Sequence, residues 1–174
     1  MNDPQPLVEI NVRAPRYFIA RTRRDCRHCK EQTELFALAL PSDHETLDVD
    51  EGVENASPGD ANRADAWILA KDPALIFHVE FMSPEAAARL ALLTRSFRID
   101  QRDSAAEPSW TNHCEACGSP FDDEELFCEP GEAFFPTSEA GAAAIRLLPI
   151  EEPLEAAAGG YSFDPNFFHD MSLE

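Results

Sequence analysis

The chain has no apolar run near the ~18 residues that a membrane-crossing helix needs. The longest candidate, 86–93, is broken by Arg89. Its first residues, Met1-Asn2-Asp3-Pro4-Gln5-Pro6, have neither the basic start nor the apolar stretch of a secretory signal. A soluble, cytoplasmic protein that makes no use of a membrane is expected. Also missing are a Gly-x-Ser-x-Gly elbow, a His-Glu-x-x-His helix, a glycine-rich phosphate loop and the His-x-Glu plus Pro-Cys-x-x-Cys pattern of nucleobase deaminases. The familiar signatures of hydrolases, metalloproteases, nucleotide-binding enzymes and deaminases are therefore absent, and catalysis is disfavoured. No internal repeat subdivides the 174 residues, and a 44% hydrophobic composition suits one ordinary core, or a core with a small metal-stapled subdomain.

Positive charge is scarce and unevenly placed. The 14 Lys and Arg face 33 Asp and Glu, for a formal net charge of −19. Half of the basic residues (Arg13, Arg16, Arg21, Arg23, Arg24, Arg27 and Lys30) fall within 13–30, whereas 43–60, 122–139 and 151–174 carry acids and no Lys or Arg. Such a field repels nucleic-acid and membrane phosphates and favours a basic protein partner, although an acidic surface also serves solubility.

Of the 5 cysteines, four form two close pairs, Cys26-Arg27-His28-Cys29 and Cys114-Glu115-Ala116-Cys117, far apart in sequence. Two-plus-two spacing supplies four thiolates to one tetrahedral ion and fits a reducing compartment, where such pairs bind metal in preference to forming disulfides. The expected ligands are Cys26, Cys29, Cys114 and Cys117, with structural Zn2+ as the metal. Gly118 suits the left-handed turn that such a knuckle needs, and Arg23, Arg24, Arg27 and Lys30 would offset the thiolate charge. Cys128 could replace a ligand, but as a lone Cys beside Leu126 and Phe127 it reads rather as a small buried hydrophobe. His113 adjoins Cys114 and could stand in for one Cys ligand, but reads rather as a neighbour of the site or a surface residue, while His44, His78 and His169 read as incidental polar residues.

The two knuckles, each next to β-type segments, resemble those of a zinc ribbon, and less closely those of rubredoxin. The resemblance covers the knuckles and their flanks. It implies a structural and binding module, here interrupted by a long intervening segment. Rubredoxin would imply iron and electron transfer, but it typically keeps Gly after both knuckles, and Lys30 stands after the first one here.

Alternation of Val8, Ile10 and Val12 with polar residues gives a first strand ended by Pro15; 17–22 gives a second, and the apolar run 33–40 a third, buried on both faces. Strand, knuckle, strand is a metal-binding hairpin. The acidic stretch 42–64 reads as a long mobile loop. A short strand at 67–70, a turn at Asp72-Pro73 and an alternating strand through Leu75, Phe77, Val79 and Phe81 suggest a central hairpin. Ser83-Pro84-Glu85 starts a helix whose apolar stripe is Ala86, Leu90, Leu93 and Phe97, with 97–99 either extending it or forming a strand. Thr137 or Ser138 caps an Ala-rich helix running to Leu148. Residues 151–174 read as a partly ordered acidic and aromatic tail, in which Tyr161, Phe163, Phe167 and Phe168 either dock on another protein or pack back.

The expected fold is thus α+β, a mainly antiparallel sheet with one or two helices and a knuckle pair, in one domain over 1–150. The expected function is a non-catalytic acidic binding protein of inhibitor, immunity or adaptor type that engages a basic protein. Two alternatives stand beside it. Nucleic acid, opposed by the net charge, would bind through Arg16, Arg21, Arg23, Arg24, Arg27 and Lys30 with Tyr17 and Phe18 nearby. A thiol-redox role would use His28 inside the first pair, against the effect of Asp25, an acid that raises a neighbouring thiol pKa.

Overall fold

In the computed structural model, which describes residues 8–48, 66–100, 107–162 and 165–174, the apolar alternation of the sequence becomes an eleven-stranded, largely antiparallel sheet. In chain order the strands are β1 (Val12–Ala14), β2 (Tyr17–Asp25), β3 (Gln32–Leu40), β4 (Glu45–Asp48), β5 (Ala66–Leu69), β6 (Ala74–Met82), β7 (Phe97–Asp100), β8 (Ser109–Asn112), β9 (Arg146–Ile150), β10 (Leu154–Tyr161) and β11 (Ser172–Leu173). Three helices interrupt them, α1 (Pro84–Leu93), α2 (Asp123–Cys128) and α3 (Glu139–Ala143), with a 3-10 turn over Pro165–Asp170. The spatial order is β11-β9-β2-β3-β6-β10-β1-β4-β5, with the β7/β8 pair attached to β6. The sheet dominates, so α+β describes the fold only loosely. No helix among the described residues is long and apolar enough to cross a membrane.

β3 is buried on both faces, as its unbroken apolar run requires. Phe36, Leu38 and Leu40 enter one core cluster with Tyr17, Ile19, Ile76, Val79 and, from α1, Ala86 and Leu90. Leu35, Ala37 and Ala39 enter the other with Leu75, Phe77, Leu126, Phe127, Phe134 and Ile145. The second cluster also contains Cys26 and Cys114, so the knuckles are anchored on that face of the sheet.

Several elements differ from expectation. β5 pairs with β4 and not with β6, which instead lies between β3 and β10, so the expected central hairpin is absent. Part of the expected acidic loop is strand β4; its residues 49–64 lie outside the described residues, as does Phe163. The stripe of α1 is short: Leu93 is 41% exposed, and Phe97 belongs to β7. α3 is capped by Ser138, whose hydroxyl accepts from the Gly141 N–H, but it stops at Ala143 because Arg146–Ile150 pairs with β2. Pro149 is tolerated there because β11 covers only Arg146 and Leu147 of the outer edge of β9.

The largest correction concerns the segment read as a tail. Leu154–Tyr161 is strand β10, set between β6 and β1 in the middle of the sheet. Its Gly159-Gly160 pair is a close-approach device: a Cβ at Gly159 would lie 3.0 Å from His78 Cβ, and one at Gly160 would overlap the Phe77 ring. The register between these strands slips by one residue at Ala157/Ala158, which makes Glu80 the extra residue of a β-bulge; nearby His78 has a φ of 49°.

Two asparagines extend the sheet beyond its strand ends. Asn112 Oδ1 accepts from the Phe36 N–H and its Nδ2 donates to the Phe36 carbonyl, both at 2.8 Å, in place of a neighbouring strand. Asn11 does the same for Ala158, at 2.9 and 2.8 Å. A primary amide presents one donor and one acceptor at the spacing of a backbone edge, which is why Asn serves this purpose.

Candidate metal centre

β2 and β3 run antiparallel up to the Asp25/Gln32 pair, and the loop between them is the first knuckle. There the Cys26 N–H donates to the Glu31 carbonyl at 2.8 Å, and the Lys30 N–H donates to the Cys26 carbonyl at 2.8 Å. The second knuckle follows β8 and repeats the pattern residue for residue. The Cys114 N–H donates to the Ser119 carbonyl at 2.8 Å and the Gly118 N–H to the Cys114 carbonyl at 2.9 Å. Lys30 and Gly118, equivalent in the two turns, have φ values of 67° and 74°. Lys30 therefore takes the left-handed conformation that its knuckle requires, and its Nζ donates to the Arg27 carbonyl at 2.8 Å. The second knuckle is tied to β3 by the Glu115 N–H, which donates to Thr33 Oγ1 at 3.1 Å.

These turns bring all four sulfurs within 4.8 Å of one another. Cys26 Sγ lies 3.7 Å from Cys117 Sγ, and Cys29 Sγ lies 3.6 Å from Cys114 Sγ. A tetrahedron with metal–sulfur bonds of about 2.3 Å has edges of about 3.8 Å, whereas a disulfide needs about 2.05 Å. The four cysteines could therefore hold one metal ion, and their spacing is that of ligands and not of disulfides. Cys26 and Cys114 are buried, Cys29 is half-buried and Cys117 is exposed.

The sulfurs compete for protons. Cys117 is lowered to about 6, first by hydrogen bonding from the Ser119 hydroxyl, 3.3 Å from its Sγ, and then by the backbone of Ser119. Cys29 receives a hydrogen bond from the Glu31 backbone that favours its thiolate, but burial and the three neighbouring sulfurs outweigh it and push the thiol up to about 12. Four thiolates cannot coexist at this distance unless a cation neutralises them. Once they bind it, a tetrahedral ion is saturated and has no open position for water or substrate.

The other sequence candidates are placed as follows. Cys128, expected to be buried, is exposed at the end of α2 and lies outside the sulfur cluster. His113 is buried, but its Nε2 faces Asp100 Oδ2 at 2.9 Å and its Nδ1 lies near the carbonyls of Thr111 and Ser96, so the ring points away from the sulfurs. His44, also read as incidental, is buried with Nδ1 2.6 Å from the Pro41 carbonyl. His28 is exposed, and its knuckle joins two strands instead of opening a helix, so the thiolate lacks the helix N-terminus of thioredoxin-type pairs.

The basic island is largely occupied by the protein itself. Arg27 pairs with Glu125 at 2.8 Å and Glu132 at 3.1 Å, and Arg24 donates to the Gly131 carbonyl at 3.1 Å. Arg21 pairs with Glu174 and, at 3.8 Å, with Glu34. Arg16 and Arg23 are exposed, with no ion pair among the described residues. The acid-only stretch 122–139 thus lies against the first knuckle. Local sequence could not reveal these pairs, because about a hundred positions separate Arg27 from its glutamates. Ser119 and Thr33, which support the sulfurs and the second knuckle, likewise carry no motif. In comparisons with protein-family models, curated proteins and solved structures, none matches the chain.

Proposed function

We propose that the chain is a non-catalytic binding protein, built around a structural zinc site, that engages a basic protein partner. The observation that carries this reading is the internal use of positive charge. Arg13, Arg21, Arg27, Arg89 and Arg146 are each paired with a glutamate. With these arginines so engaged, little positive charge is left to compensate the −19 excess. Such a field accelerates and orients encounter with a cationic surface, and it weakens with salt. The chain would thus be of inhibitor, immunity or adaptor type, and its partner a basic protein.

Zinc is the metal assigned because a closed set of four thiolates is its common structural site. Cys26, Cys29, Cys114 and Cys117 would hold it, joining the β2/β3 hairpin to the segment after β8. Thiols retained as ligands suit a reducing, cytoplasmic setting. Elemental analysis of the native protein should find one zinc per chain, and chelation should lower its thermal stability. Retention of basic proteins on the immobilised, metal-loaded chain, with release by moderate salt, tests the partner. Failure to retain any salt-releasable protein would remove this reading, while capture of RNA or DNA at low salt would favour the nucleic-acid alternative.

A further inference from the structure

We infer that an aromatic-walled cavity on the second-core face of the sheet binds a small, neutral, flat apolar molecule, independently of the metal centre. The cavity has a volume of about 260 Å³. One wall is a ladder of nearly parallel rings: Phe77 on Phe127 at 5.0 Å and 17°, then Phe127 on Phe134 at 4.8 Å and 21°. Leu75, Phe168 and Met171 line it further, and Phe168 is braced against Phe18 at 6.0 Å.

Three features specify the ligand. No charged residue lines the cavity among the described residues, so nothing there would neutralise an ionic group. Two side-chain hydroxyls belong to its lining, that of Ser162, which already accepts the Leu75 N–H at 3.0 Å, and the phenol of Tyr161; the lining is otherwise mostly apolar, so dispersion and ring stacking are the main attractions. The net charge of −19 opposes anions, including fatty acids, before they reach the mouth. An apolar cavity of about 150 Å³ accommodates benzene; this larger one suits a fused or linked pair of rings. The ladder depends on Gly160, since a Cβ there would overlap the Phe77 ring and displace the wall. Gly160 therefore serves the cavity wall as well as the sheet.

Cys128 lies at the cavity, exposed and outside the sulfur cluster, and makes the site testable on the folded, metal-loaded chain. N-phenyl-1-naphthylamine, a neutral fluorescent probe, should bind saturably at one site. Its anionic relative 8-anilinonaphthalene-1-sulfonate should bind at least about tenfold more weakly because of the acidic field. The neutral probe should slow alkylation of Cys128 by iodoacetamide, and Cys128→Trp should abolish its fluorescence gain while Cys128→Ser preserves it. If the Trp variant does not fold, benzyl methanethiosulfonate applied to the folded wild type fills the same volume and should have the same effect. No saturable gain, an equal gain after filling, or equal binding of the sulfonate overturns the inference.

Discussion

Asn112→Ala tests whether a single side chain substitutes for a missing strand in the middle of the sheet. The amide is 1% exposed and makes both of its bonds to Phe36, 76 positions away, at 2.8 Å. Alanine removes no large apolar surface, so the loss is almost wholly the desolvation of an N–H and a carbonyl left without partners. Each such orphan costs about 1–3 kcal/mol, which bounds the effect at roughly 2–6 kcal/mol; partial entry of water into the vacated space places it near 3 kcal/mol. For a chain of this size, that corresponds to a fall in Tm of about 6–12 °C. Circular-dichroism melting of metal-loaded protein measures the fall, and hydrogen exchange at the Phe36 amide locates it. A loss below about 1 kcal/mol with Phe36 protection unchanged would refute the substitution argument. Because Asn112 is two residues before Cys114, the same variant should also bind metal less tightly.

The equivalence of Lys30 and Gly118 predicts opposite effects from exchanging residue types. Gly118→Ala meets no atom within 4 Å, so its cost is conformational, about 1 kcal/mol, whereas Lys30→Gly relieves the same backbone and should be neutral or stabilising by about 0.5 kcal/mol; denaturant titration of both variants checks this, and equal losses would contradict it. Gly160→Ala should destabilise by roughly 1–3 kcal/mol through overpacking, because the Phe77 ring it meets is held by Phe127. A melting curve unchanged from wild type would show that the ring is free to move.

How much was legible depends on whether the signal was local. The Cys-x-x-Cys pairs needed only four adjacent letters each, and the β2/β3 hairpin needed only alternation around a turn. β10 was missed because Ala156-Ala157-Ala158-Gly159-Gly160 has almost no β propensity. It is a strand because β6 and β1 flank it and its small residues admit Phe77 and His78, a tertiary cause that propensity cannot express. The helix expected through Leu148 failed for a related reason. Ala-rich sequence favours helix in isolation, but burying Leu147 and pairing Arg146–Ile150 with β2 outweigh a few tenths of a kcal/mol per residue. The ion pairs of the first knuckle were invisible for want of any local relation to 122–139. From sequence the basic island read first as compensation for the thiolate charge, and the particular glutamates it engages could not be named.

That reassignment makes Arg23 the sharpest discriminator between readings of function. Arg23 is exposed, and no ion pair engages it among the described residues, so Arg23→Glu should leave folding within about 0.5 kcal/mol of wild type. The substitution removes one positive charge and adds one negative, taking the formal net charge from −19 to −21. If the partner is a basic protein drawn by the acidic field, the association rate should rise slightly and its salt dependence should steepen. If the first knuckle grips nucleic acid, binding should weaken several-fold and the salt slope should flatten, since a phosphate contact has been lost. Arg27→Gln is the complementary change: its pairs with Glu125 and Glu132 are partly exposed, so it should cost at most about 1 kcal/mol. It frees two acids without creating a new one. A basic partner should therefore tolerate both variants, and strong loss of that partner in Arg23→Glu alone would mean that it contacts the knuckle directly through a carboxylate of its own.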